Sequence, residues 1–210
     1  MRDGTIRAMT RPPLILASTS RYRHELLQRL RLPFNVVSPG VDETAAPGET
    51  PGPLALRLAL AKARAVAAQH PGAVVIGSDQ VCDLNGQALG KPGNHLNAVR
   101  QLRQLSGRAA IFHTAVAVVC VDRDFEQVEL APVRVQFRSL CDDEIERYLQ
   151  LEQPYDCAGS ARCETLGITL LDSIDSDDPT ALIGLPLIRL CDLLRAAGVP
   201  LLQPQPALSI

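Results

Sequence analysis

One acid stands out for its surroundings. Asp79 lies in Gly77-Ser78-Asp79-Gln80-Val81, directly after the apolar run Ala73-Val74-Val75-Ile76. An unbroken apolar run of that length reads as a buried strand. In open α/β sheets, ligands sit beyond the carboxyl ends of strands. An acid there is placed to act as a general base or as a metal ligand. Aspartate is also an ordinary turn and helix-cap residue, so Asp79 carries weight only together with other segments.

Four further segments hold reactive side chains. Ser18-Thr19-Ser20-Arg21-Tyr22-Arg23 combines hydroxyls and backbone N–H groups with two arginines. At a helix N-terminus such a segment can bind an anion; its plainer reading is capping with surface arginines. The pattern G-x-x-x-x-G-K-[ST] of a P-loop is absent. Glu43, in Val41-Asp42-Glu43-Thr44, could join Asp79 in offering the oxygen ligands preferred by magnesium or manganese, although adjacent acids in a loop are usually solvated. Lys62 and Lys91 are the only lysines among 21 basic residues. A flexible point charge suits phosphate, and a surface position is the default for both. The fourth segment is Ala158-Gly159-Ser160-Ala161-Arg162-Cys163-Glu164, small residues ending in an acid, which also reads as a surface turn.

The elements that position these groups follow from patterning. Leu14 to Ala17 reads as a first strand, with Ser20 capping a helix from Arg21 to Leu30. Phe34 to Val37 is a short strand, Pro39 to Pro53 a loop, and Leu54 to Gln69 a Leu/Ala-rich helix. The strand bearing Asp79 ends in a turn at Asp83-Leu84-Asn85-Gly86. Asn94 caps a helix running to Leu105. Ala110 to Val121 and Val128 to Phe137 form a hairpin around Asp124. Asp142 to Leu151 is a helix, Gly167 to Leu171 a late strand, and Pro186 to Ala197 a final amphipathic helix. The expected class is α/β, a mixed twisted sheet with flanking helices.

Composition narrows the function. The chain has 210 residues, 46% of them hydrophobic, and a net charge of -2. That suffices for one well-cored domain over 14–202. Residues 1–13 read as a loose extension, with Met9 a possible alternative start, and 203–210 as a frayed tail. A global basic field for a nucleic-acid polymer is lacking. No apolar stretch reaches the roughly 20 residues of a membrane helix, and the N-terminus lacks a secretory h-region. The six cysteines form no C-x-x-C pair, which argues against zinc and for buried free thiols in a reducing cytoplasm.

Taken as a set, the segments resemble the Maf family of nucleotide pyrophosphatases. Leu16-Ala17-Ser18-Thr19-Ser20-Arg21-Tyr22-Arg23 is similar to the family's opening signature. Val41-Asp42-Glu43, Lys62-Ala63, Gly77-Ser78-Asp79-Gln80, Gly90-Lys91-Pro92, Leu105-Ser106-Gly107, Ala158-Gly159-Ser160 and Gly184-Leu185-Pro186-Leu187 follow in family order. The resemblance runs from about Leu14 to Leu201. It implies an inosine-triphosphatase-like fold with two lobes around a cleft, and a cytoplasmic, often dimeric enzyme. Such an enzyme cuts nucleoside triphosphates to monophosphate and pyrophosphate with a divalent cation. In those terms Asp79 is the catalytic acid, Ser18, Arg23, Lys62 and Lys91 hold the triphosphate, and Glu43 joins Asp79 at the metal.

Three positions sort the subfamilies. The dTTP/UTP enzymes carry Arg, Thr and Gln where this chain has Tyr22, Gln80 and Glu164. The present set resembles the branch acting on 7-methyl-GTP, which usually has Trp in place of Tyr22. An aromatic face suits the cationic ring of N7-methylguanine, and Glu164 can accept from a purine edge. Arg21 replaces a usual Pro, and Ala161 and Arg162 a common Phe-Lys pair. The alternatives are a pyrophosphatase for other nucleotides such as dTTP or UTP, and a nucleotide-binding regulator of cell division.

Overall fold

The structure, a computed structural model, describes residues 11–202. The stretches read as a loose N-terminal extension and a frayed tail lie largely outside the described residues. One seven-stranded sheet organises the chain, in the order β2-β1-β3-β5-β6-β7 with β4 paired to β3. The strands are β1 (Leu14–Leu16), β2 (Asn35–Val36), β3 (Val74–Leu84), β4 (Gln87–Leu89), β5 (Ala109–Cys120), β6 (Phe125–Phe137) and β7 (Leu171–Asp175). β1 runs parallel to β2 and β3, whereas β3–β4, β3–β5, β5–β6 and β6–β7 are antiparallel. The helices are α1 (Arg21–Gln28), α2 (Pro51–Ala67), α3 (His95–Leu105), α4 (Asp142–Glu152) and α5 (Leu187–Ala196).

Side chains alternate across a strand, so β1, β3 and β5 feed two cores. Leu14, Leu16, Val74, Ile76, Val116 and Val118 meet Leu26 and Leu27 of α1 and Leu190, Leu193 and Leu194 of α5. Ile15, Ala17, Val75, Ala115, Ala117 and Val119 meet α2 on the opposite face. Because helices cover both faces, these strands read as continuous apolar runs rather than alternating ones. A third core lies farther along the same long strands. There Cys82, Leu84, Phe112, Val133, Val135 and Phe137 pack against α3 and α4. β3 crosses between the two regions, and its polar stretch Ser78 to Gln80 falls at the crossing. Two cores thus flank one stretch of the sheet, and the third lies beyond it.

Local chemistry explains the helix ends. Ser20 caps α1 by accepting from the Arg23 N–H, and Asn94 caps α3 by accepting from Asn97. Glu144 reaches back to the Cys141 N–H at the start of α4. α5 starts at Pro186 without a side-chain cap. Its three buried leucines each contribute about 2 kcal/mol on burial, and side chains from outside the helix cap its start. The buried Asp178 carboxylate accepts from the first N–H groups of α5, at Ile188 and Arg189. α2 carries Ala55, Ala59, Ala63 and Ala67 as a buried stripe. That small-residue stripe lets it approach Gly77: a methyl there would lie 2.2 Å from the Ala59 carbonyl oxygen.

Three expectations need correction. Asp79 does not end its strand. β3 continues to Leu84, and Asp79 pairs with Ala115 inside a nine-residue antiparallel register. The late strand begins at Leu171 rather than ending there, because Leu166–Leu170 forms a 3-10 turn. The cysteines are all free, but only Cys82 and Cys120 are buried; Cys141 is exposed. Among the described residues, no helix is long and apolar enough to cross a membrane.

Candidate active site

A single cavity of about 660 Å³ is lined by Ser18, Tyr22, Arg23, Glu43, Lys62, Asp79, Gln80, Lys91 and Glu164. These are all nine positions singled out from the sequence. They arrive from β1 and α1, the loop before α2, α2 itself, β3, the segment after β4, and the loop after α4.

At the centre is an ion cluster. Lys62 Nζ lies 2.6 Å from Asp79 Oδ1 and 2.6 Å from Glu43 Oε1. Lys62 is not the surface lysine of the default reading; it is buried, as is Asp79. Asp79 Oδ2 has no hydrogen-bond partner among the described residues. Glu43 is half exposed, and its loop is braced from outside. Arg57 donates to both oxygens of Glu49 and to the Thr44 carbonyl. Burial pushes the Glu43 carboxyl up, but the hydrogen bond and charge of Lys62, with Lys91 and Arg23 beyond, bring it below its ordinary value. Glu43 is therefore a carboxylate at neutral pH.

The anion-binding side is built from α1 and its approach. Ser18 is buried, and its Oγ accepts from the Ser20 N–H and from Arg23 Nη1. Arg23 Nε donates to the Gly184 carbonyl at 2.9 Å. Burial lowers the Arg23 guanidinium, with Asp79 and Glu43 acting in the opposite direction. Ser78 Oγ donates to the same Gly184 oxygen at 3.0 Å. Gly184 has φ +123, a conformation that favours glycine. Lys91 is exposed and makes no ion pair among the described residues.

The same cavity also has an aromatic and acceptor-rich part. Tyr22 receives hydrogen bonds from Arg21 and Arg162, and both guanidinium groups lie over its ring, at 4.8 and 5.0 Å from the centroid. Gln80 Nε2 is spent on Thr114 Oγ1, Ala181 O and Leu182 O. What Gln80 can offer the cavity is its Oε1, an acceptor. Glu164 supplies another. Cys157 also lines the cavity, and burial raises its thiol to about 11, leaving it protonated at neutral pH.

The family model for the Maf-like protein matches residues 13–197. The chain belongs to the Maf family. A curated relative from Polaromonas sp., named 7-methyl-GTP pyrophosphatase, is 69% identical over 91% of this chain and 88% of its own length. Relatives with the same name from Bordetella pertussis and Cupriavidus metallidurans are 58% and 54% identical, covering 93% and 91% of this chain and 98% and 96% of their own. Among solved structures, the Staphylococcus aureus Ham1 protein is similar at 18% identity, over 60% of this chain and 72% of that one, with a TM-score of 0.45.

Sequence reasoning missed several residues around this Maf site. Thr114, fully buried on β5, donates to Ala181 O and helps fix Gln80. The carbonyls of Ala181, Leu182 and Gly184 act as a backbone rail for Gln80, Ser78 and Arg23. Their side chains are apolar or absent, so no residue type marks them. Arg162 and Glu152 form a close pair next to Tyr22. Glu152 ends α4 and Arg162 lies in the loop beyond it, so only the folded loop brings them together.

Proposed function

We propose that this chain is a nucleoside triphosphate pyrophosphatase that hydrolyses 7-methyl-GTP to 7-methyl-GMP and pyrophosphate. The observation that carries the reading is the polarity of one cavity. It holds an acid–lysine–acid cluster and a cationic anion site together with an aromatic ring and two hydrogen-bond acceptors. A guanine edge presents N–H donors, which suit Gln80 Oε1 and Glu164. The cationic N7-methylated ring suits the Glu164 charge, and the Tyr22 ring on displacement of the exposed Arg21 guanidinium that now lies over it. The name shared by relatives at 54–69% identity supports the same substrate.

In this reading Ser18, Arg23, Lys62 and Lys91 bind the triphosphate. Water attacks the α-phosphorus, and pyrophosphate leaves. Asp79, with Oδ1 held by Lys62, has Oδ2 left to orient the water and take its proton. The donor chemistry also fits magnesium or manganese. The Asp79 and Glu43 oxygens bonded to Lys62 can be no farther apart than twice 2.6 Å. The described residues hold no group of three or more His, Cys, Asp or Glu placed for a metal. That matches an ion held by one or two carboxylates plus substrate phosphates. Bound there, the cation would neutralise charge developing on phosphate oxygens. We further propose a cytoplasmic homodimer, on the strength of the family resemblance.

The test is a pyrophosphate-release assay on purified protein with 7-methyl-GTP, GTP, dTTP and UTP, each with Mg²⁺ and Mn²⁺. The expected result is the highest kcat/KM for 7-methyl-GTP. Equal or better turnover of dTTP ends the methylguanine reading. Tight nucleotide binding with no pyrophosphate released under any metal ends the enzymatic one.

A further inference from the structure

Arg162 does not line the cavity, yet it touches two residues that do. Its three guanidinium nitrogens point to three acceptors. Nη1 lies 2.5 Å from Glu152 Oε1, Nη2 donates to the Tyr22 phenol oxygen, and Nε faces Glu164 Oε1 at 4.0 Å. The guanidinium also covers the Tyr22 ring. Behind it, Glu152 is nearly buried and accepts from the Leu166 N–H, and the Arg162 N–H donates to the Tyr148 hydroxyl. Arg162 is thus anchored to α4 on one side and reaches Tyr22 on α1 on the other.

One bond in this arrangement is unmade. Arg162 Nε is buried and has no hydrogen-bond partner among the described residues. A buried donor left unsatisfied is costly. The Glu164 oxygen at 4.0 Å is too far for a hydrogen bond, and a movement of about 1 Å would bring it to charge-assisted bonding distance. Lysine could not take this place, because a single ammonium cannot present a planar fork to three separate acceptors. Arg21, the other guanidinium on Tyr22, is exposed and more weakly fixed.

We propose that Arg162 is a positioning residue for base recognition, fixing the Tyr22 ring and drawing in the Glu164 carboxylate as a nucleobase enters. It acts on choice of base and not on capture of the phosphate chain. The inference rests on the functional reading above, because it takes Tyr22 and Glu164 to face the base.

The test compares Arg162→Lys with the wild type, using nucleotides and inorganic tripolyphosphate, which has no base. The lysine retains a charge for Glu152, so the fold is kept. KM for 7-methyl-GTP should rise about tenfold with kcat within about threefold, a loss of binding rather than of chemistry. The kcat/KM preference for 7-methyl-GTP over GTP should shrink about fivefold, and the tripolyphosphate inhibition constant should stay within about twofold. Tyr22→Phe should raise KM similarly, and the double variant should fall short of the product of the two effects. Unchanged KM and preference in Arg162→Lys overturn the proposal, as does tripolyphosphate inhibition that weakens in step with KM. If the wild type prefers another nucleotide, the functional reading falls, and the same comparison is made with that nucleotide. Should Arg162→Lys aggregate, Arg162→Met with Glu152→Met leaves no buried charge unmatched and is read the same way.

Discussion

Replacing Lys62 with Met removes the cation shared by Asp79 and Glu43. Both contacts measure 2.6 Å, and Lys62 and Asp79 are buried. Breaking a buried pair from one side costs about 3–5 kcal/mol. The Glu43 side chain is 54% exposed, so solvent screens its share to a fraction of that. Arg23, whose charge acts favourably on Asp79, offsets part of the rest. We therefore expect a loss of about 3 kcal/mol, the low end of the range. For a chain of this size that is a drop of about 6–12 °C in Tm. A divalent cation should recover part of it by standing where the ammonium stood. Differential scanning fluorimetry at neutral pH, with and without Mn²⁺, reads both effects. The metal-induced rise in Tm should be larger in Lys62→Met than in the wild type. A variant melting within about 2 °C of wild type, and indifferent to Mn²⁺, would refute the electrostatic account of the cluster.

Asp79→Asn should lower kcat by about 10²–10⁴ if the carboxylate acts on the attacking water, with circular dichroism unchanged; full activity removes the assignment. Gly77→Ala should abolish soluble expression or cost several kcal/mol, because the new methyl meets the Ala59 carbonyl at 2.2 Å and the Ala63 nitrogen at 2.7 Å, which are helix backbone. Glu49, held by Arg57 and the Ala46 N–H, has its carboxyl lowered to about 2. Its contribution to stability is present above the unfolded value near 4.5 and lost as pH falls toward 2, so the Tm difference between wild type and Glu49→Gln should vanish over that interval. Burial raises the Cys157 and Cys163 thiols to about 11 and 12; iodoacetamide labelling of both, read by peptide mass spectrometry, should stay slow at pH 8.

The site was more legible in the sequence than the strand that carries it. Polar and small residue types mark Ser18, Arg23, Glu43, Lys62, Asp79 and Lys91 without reference to packing, and the cavity gathers them. The course of β3 was hidden for the same reason. Gly77, Ser78 and Asp79 are strand breakers by local preference, yet pairing with Val116 and Ala115 carries the strand through them. Tertiary hydrogen bonding overrode propensity there. Gly77 serves helix contact rather than a turn, which no local rule signals. The burial of Lys62 escaped because its position on an Ala-rich helix says nothing of which face meets the sheet. The strand expected at Gly167 slipped because Leu166 to Leu170 has the right residue types but closes a 3-10 turn before pairing begins at Leu171.

The absent side chain at Gly77 turns α2 and β3 into one rigid piece. With Ala59 and Ala63 seated against bare backbone, the helix has no slack to slide or roll along the strand. Lys62 and Asp79 are thus held at a fixed gauge, whatever happens elsewhere. The segments around Lys91 and from Asp156 to Glu164, which line other parts of the cavity, stand outside that piece. They are tied to each other through Gln101, which accepts from Ser160 and donates to the Gly90 carbonyl.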